Sequence, residues 1–312
     1  MSKKKKEAKK SPDKAQNKAP KKKNKKLKAF LIIVAVLILA MVGVVGANVV
    51  INRSFTVSFY QITSDKVSDN IRIVELSDLH NSQYGENNSR LVEKIKSLGP
   101  DIIVYAGDMM NEKDDDYSVL FNLSDELCKI APIYACYGNN ELDQQLFYDK
   151  TFRSQLEKHN VTLLSNEALD VEIGNTVIQL VAISDNVEQY DVPTNNGKKF
   201  IEKLEPTENC RICLTHYPEL FNKKLLDKDI DIAFTGHAHG GLIRLPYFGG
   251  LYSPGEGFLP KFTSGVVEAD DGTKVVVSRG LGNSSEATGI EHLEIPRINN
   301  QPELVVVDVC WY

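Results

Sequence analysis

Apolar residues in this chain of 312 fall into three patterns. The first is one unbroken block, AFLIIVAVLILAMVGVVGA from Ala29 to Ala47, nineteen residues with no charged or strongly polar side chain. The second is a series of short runs rich in β-branched types: IRIVEL, DIIVYA, PIYACY, RICLTH and DIAFTG. Such runs, bounded by Gly, Pro or polar residues, read as buried strands. The third is helical. Between the first two runs, Leu91, Ile95 and Leu98 share one face closed by Gly99-Pro100, and between the next two Leu120, Leu123 and Leu127 repeat it. The result is βαβαβ, which predicts a parallel sheet covered by helices. Later, DVEIGNTVIQLVAI predicts a hairpin turning at Gly174-Asn175, and KVVVSRG and ELVVVDV add strands. A layered α/β domain with some antiparallel pairing accounts for residues 70–312, and residues 52–69 form a juxtamembrane segment before it.

At about 1.5 Å per residue the apolar block nearly spans a hydrocarbon core of about 30 Å. A buried core helix would need amphipathic flanks, which are missing. A cleaved signal peptide would end at a small-residue site near Ala47, but the basic region is long for one and the apolar run exceeds an ordinary signal core. An uncleaved signal anchor over residues 29–51 is therefore favoured. Charge orients it. Residues 1–28 carry fourteen Lys against Glu7 and Asp13, a net +12, so the total of −5 leaves −17 for the remainder. The Lys excess before the block and the lone Arg53 after it place the N-terminus in the cytoplasm and the acidic bulk outside. A tail so basic and poor in apolar residues is expected to be disordered, with anionic lipid headgroups as its partner. Nucleic acid is an unsuitable partner for a domain at −17.

The chemistry gathers where the strands stop. After IRIVELS come Asp78 and His80; after IIVYA, Gly107 and Asp108; after IYACY, Gly138, Asn139, Asn140 and Glu141; after ICLT, His216; after IAFT, GHAHGG with His237 and His239. Open α/β sheets bind ligands outside the carboxyl ends of their strands. His159 and His292 lie elsewhere and are read as surface or structural. Each motif alone is weak, but five successive strand ends carrying Asp, Asn or His are not a coincidence of composition. The set holds imidazoles, carboxylates and an amide without a thiolate, which suits iron, manganese or zinc. Two such ions sharing a carboxylate suit displacement at phosphorus. Cys210 and Cys213 form a C-x-x-C with no second pair to complete a zinc site, and all five cysteines are read as structural.

In the order D-x-H, G-D, G-N-N-E, H, G-H-x-H, the chain resembles the calcineurin-like metallophosphoesterases, from Glu75 almost to its end. GHAHGGLIRLPYFGGLYSPGEG and VVVSRGLGNSS resemble the membrane-associated bacterial branch called YkuE-like or YaeI-like. The resemblance implies a four-layer α/β/β/α sandwich of two mixed sheets. It implies that Asp78, His80 and His239 hold one metal, that Asn139, His216 and His237 hold the other, and that Asp108 bridges. It also implies a histidine where this chain has Asn140, a residue thought to protonate the leaving oxygen or stabilise the transition state. An amide cannot transfer a proton, and Glu141 is the candidate substitute acid.

The expectation is a membrane-anchored, outward-facing phosphoesterase with two transition-metal ions (Mn, Fe or Zn). Through a metal-bound hydroxide it would hydrolyse a phosphate ester or pyrophosphate bond, on an envelope lipid or cell-wall intermediate. The rival from another class is a metal-binding scaffold without turnover, motivated by Asn140. A metalloprotease is excluded by the lack of an H-E-x-x-H helix.

Overall fold

In a computed structural model, the described residues are 23–111, 116–143, 150–184, 196–223, 229–253, 255–283 and 297–311. His292 and most of the basic tail lie outside them. Residues 1–47 and 48–312 form separate compact units. Helix α1 (Lys23–Ile51) contains one stretch, Lys25–Ile51, long and apolar enough to cross a membrane.

The second unit is built on two six-stranded mixed sheets. In sheet order, the first comprises β1 (Thr56–Ser64), β16 (Glu303–Trp311), β2 (Ile71–Leu76), β3 (Ile102–Ala106), β4 (Ile133–Cys136) and β5 (Val161–Leu163). Strands β2 to β5 run parallel, and β16 enters antiparallel to β2. Helices α2 (Ser89–Leu98) and α3 (Ser118–Leu127) provide the crossovers that the sequence pattern predicts, and Gly99 ends α2 in the left-handed conformation. The second sheet comprises β14 (Gly265–Glu268), β15 (Lys274–Val277), β9 (Ile232–Thr235), β8 (Cys210–Thr215), β7 (Thr176–Ile183) and β6 (Glu167–Ile173). Here β15, β9, β8 and β7 are parallel, while the edge strands β14 and β6 are antiparallel.

Side chains on a strand alternate between its two faces, and the core divides accordingly. Ile71 and Ile73 join Ile102, Val104, Ile178, Leu180, Ile212, Leu214 and Phe234 between the sheets. Val74 and Leu76 turn outward to Leu91, Ile95, Leu120 and Leu123 of the covering helices. On the far side, Val181, Ile183, Cys213 and Val277 pack on Ile201, Leu220 and Phe221. Helix, sheet, sheet and helix make the four layers. The difference from the sequence reading is β1. It lies in the stretch assigned to a juxtamembrane segment, yet pairs along its whole length with β16.

All five cysteines are free; Cys136, Cys210 and Cys213 are buried and Cys128 and Cys310 half-buried. His159 stacks on Phe121 with ring centroids 4.4 Å apart and pairs with Asp125 at 2.8 Å, a structural role.

Candidate metal centre

Parallel strands deliver their carboxyl ends to one edge, and the ends of β2, β3, β4, β8 and β9 converge there. Two groups of donor atoms form. His80 Nε2 faces His239 Nε2 at 3.3 Å, and His239 Nε2 lies 3.4 Å from Asp78 Oδ1. In the other group, His216 Nε2 lies 3.3 Å from Asp108 Oδ2 and 3.1 Å from Asn139 Oδ1. His237 Nδ1 joins it through the same Asn139 oxygen at 3.0 Å. Asp108 Oδ2 is also 3.9 Å from His80 Nε2, and Asp78 Oδ1 is 3.9 Å from His216 Nε2. Both carboxylates thus lie between the groups. All seven residues proposed as metal ligands from the sequence are brought together.

The donor set fits metal. Two imidazole nitrogens and a carboxylate oxygen converge on one point, and buried Asp78 Oδ2 has no hydrogen-bond partner among the described residues. Protonation favours the same use. Burial, reinforced by His216, lowers His237 to about 3, and burial with His80 pushes His239 well below its usual value, so both imidazoles are neutral. Burial alone would raise Asp108, but His216 and His80 outweigh it and hold the carboxyl at about 2. In the opposite sense, Asp108 and Asp78 overcome burial and raise His216 to about 10.

The local backbone is bent to reach this arrangement. Asp78, His80, Asp108, His237 and His239 all have φ between +44 and +64. That left-handed region costs about 1–3 kcal/mol for a residue with a Cβ, and persists only where the surroundings enforce it. Enforcement is visible. Asp78 N donates to Gly107 O and His80 N to Asp108 O, at 3.0 and 3.2 Å. Asn140 N and His237 N donate to Asp108 Oδ1 and Asp78 Oδ1, fixing both carboxylates. Gly138 is required by contact: a Cβ there would lie 2.1 Å from Asp108 Oδ1.

Asn140 and Glu141 stand one layer behind. The Asn140 amide, 1% exposed, donates from Nδ2 to Met110 O at 2.8 Å and meets His80 Nδ1 at 3.1 Å. Its Oδ1 accepts from Asn139 Nδ2. Glu141 Oε2 accepts from Asp108 N and Gly138 N, and Oε1 from Met109 N, at 2.8–3.0 Å. Burial and Asp108 raise this carboxyl to about 7, but both its oxygens face backbone amides.

Sequence reasoning missed two residues. Arg297, 1% exposed, places Nη2 3.1 Å from His239 Nδ1 and donates to the carbonyls of Arg279 and Gly282. Glu219 Oε1 lies 3.9 Å from His237 Nε2. Glu219 follows His216 by three residues, a signal that could have been weighed. Arg297 has no motif around it.

A two-sheet sandwich with seven N/O donors in two touching groups at its strand ends defines a metal-dependent hydrolase of phosphoric esters. The chain belongs to the calcineurin-like phosphoesterase family, whose model matches residues 71–241. It is 24% identical over 244 residues to the phosphodiesterase YaeI of Escherichia coli, covering 76% of this chain and 82% of that one. The metallophosphoesterase YkuE of Bacillus subtilis is 26% identical over 220 residues, 69% and 73% of the two chains. The UDP-2,3-diacylglucosamine pyrophosphatase LpxG of Chlamydia trachomatis is 27% identical over 219 residues, 57% of this chain and 66% of that one.

Proposed function

We propose that this protein is a membrane-anchored phosphoesterase, N-terminus in the cytoplasm and catalytic domain outside, that hydrolyses a phosphate ester or pyrophosphate bond on a lipid-linked envelope intermediate. The observation that carries the reaction class is the pair of donor groups, Asp78–His80–His239 and Asp78–Asp108–His216, that meet at Asp78, with Asp108 Oδ2 also 3.9 Å from His80 Nε2. One group, Asp78, His80 and His239, would hold one transition-metal ion, and Asn139, His216 and His237 the other, with Asp108 between. When bound, such ions supply Lewis acidity at phosphorus and a water of low pKa. The protein's own part is to hold these donors rigidly, keep His237 and His239 neutral, and keep Asp108 ionised. Glu219 faces the second ring nitrogen of His237 and orients it, since a ligating imidazole is fixed by what its other nitrogen touches, while Arg297 packs against the His239 ring. Glu141 serves as the clamp of the loop carrying Asp108 rather than as a proton donor. The substrate class is supported by two relatives, one named a phosphodiesterase and one a pyrophosphatase of a diacylated sugar nucleotide.

The test is turnover of phosphomonoesters, diesters and pyrophosphates by the metal-reconstituted full chain in detergent, beside Asp108→Ala. Hydrolysis of at least one class by the wild type is expected, with most metal and activity lost from the variant. Wild-type metal content in Asp108→Ala would end the bridging assignment. Two bound metals without turnover of any ester would favour the scaffold reading that Asn140 motivates.

A further inference from the structure

The two hairpins that follow the GHAHGG loop carry an apolar surface that the reaction does not use. They are β10–β11 (Arg244–Leu245 with Gly249–Gly250) and β12–β13 (Tyr252–Ser253 with Gly257–Phe258). Tyr247 is fully exposed, Phe248 is 76% exposed, Phe258 78% and Leu259 61%. Elsewhere among the described residues of the domain, the large apolar side chains that are more than half exposed include Phe59 on β1 and Trp311 at the end of β16. Contiguous exposed apolar surface marks an interaction site more often than chance. These residues also lie beyond 241, where the family match stops.

The hairpins are fixed, and they border the metal centre. Leu251 N donates to Gly241 O and Ile243 O at 3.2 and 2.8 Å, and Leu259 N to Leu251 O at 2.9 Å. Gly255 sits so close to Glu219, the carboxylate facing His237, that a Cβ would lie 1.8 Å from its Oε1. The same strap is tied to the point where the domain begins. Arg244 N donates to Ile298 O, and Ile298 N to Leu242 O. The adjoining Arg297 carbonyl accepts from the side-chain amides of Asn48 and Asn52, the residues that follow the apolar block in the chain. Beside them a groove of about 370 Å³ is lined by residues that include Asn52, Arg53, Ser82, Gln83 and Asn283.

We infer that the Tyr247–Phe248 and Phe258–Leu259 tips dock into the lipid bilayer and turn the mouth of the metal centre towards the membrane surface. The inference rests on the anchored reading above. A bilayer is the occupant because the chain leaves its apolar block at Asn48–Asn52, tied through Arg297 and Ile298 to the strap bearing the tips. The chemistry matches: Tyr and Phe with Leu, followed in the chain by Lys261, are residues that settle at a headgroup boundary. Docking on one edge would let a headgroup phosphate reach the donors while its acyl chains stay in the leaflet.

Trp311 is the chain's one tryptophan, so a Trp311→Phe background accepts a reporter. The full chain carrying Phe248→Trp is reconstituted into phosphatidylcholine–phosphatidylglycerol vesicles with or without acyl chains brominated near the headgroup. Loss of most of the emission in brominated vesicles is expected, whereas Leu169→Trp on β6, in the same background, keeps its emission. Wild-type metal content confirms that both variants fold. Vesicle flotation reads the anchor separately. Protein that floats while the Phe248→Trp emission is unquenched overturns docking and leaves the anchor standing. Protein that fails to float overturns both. Unquenched emission that shifts with protein concentration assigns the tips to a second copy and overturns bilayer docking as well.

Discussion

Asn140 occupies a chain position where a proton donor would be expected, but its contacts are those of a brace. It joins the His80 ring, the Asn139 amide and the Met110 carbonyl. Asn140→Ala leaves a buried carbonyl unpaired, at a cost of about 1–3 kcal/mol, and releases a ligand ring. Metal affinity, measured by competition with a chelator, should fall by about 10–100-fold, the usual effect of losing such a support. Unchanged affinity with reduced turnover would return Asn140 to a direct chemical role. His216 gives a second expectation at this scale. Its Nδ1 faces the Ala106 carbonyl at 2.8 Å and its Nε2 the two carboxylates that raise it to about 10. The metal-free protein therefore carries a proton there at neutral pH, and a ligand nitrogen must give it up. Metal binding should release about one proton from this site, and affinity should rise roughly tenfold per pH unit below about 10. Calorimetry in buffers of differing ionisation enthalpy reads the count; no buffer dependence would refute it.

At the scale of elements, the centre is an agreement between loops rather than the property of any strand. Glu141, in the short helix α4 (Asn139–Asp143) after β4, clamps the loop after β3 through the amides of Asp108 and Met109 and ties it to Gly138 N of its own loop. Glu141→Gln keeps the volume but replaces one acceptor oxygen by a donor aimed at an N–H. A stability loss of about 1–3 kcal/mol is expected in urea unfolding, with metal affinity falling alongside. Wild-type stability would show the clamp to be dispensable. The five strand ends were legible in the sequence because each apolar run stops at a polar residue of distinctive type. Strand β1 was not. TVSFYQITS is an edge strand with mixed exposure along its length, and nothing local reveals a partner some 245 residues away. Arg297 was hidden for the same reason: its contacts with His239 and Gly282 are purely tertiary. The left-handed backbone at five candidate ligands was also invisible, since Asp and His carry no glycine-like mark of it.

For the molecule as a whole, one feature of the first sheet reaches beyond the finished fold. Strand β16 lies between β1 and β2, two of the earliest strands, separated from them in the chain by most of the domain. Non-local pairing of this kind makes folding slow, because the loop entropy is lost before the contacts form. At about 5–20 residues per second, the ribosome works for roughly 12–50 s between β2 and β16. Nascent chains arrested before residue 303 should stay protease-sensitive throughout the first sheet, and chains that have extruded β16 should become resistant; early resistance would refute this. Until β16 emerges, β1 has no strand to join it to β2, and Glu303 has not met Ser58 or Arg279. On the outward-facing reading proposed above, a chain in that condition would still be pliable enough to be threaded across a membrane, and the order of its strands would act as a timer that delays folding until synthesis of the domain is nearly done.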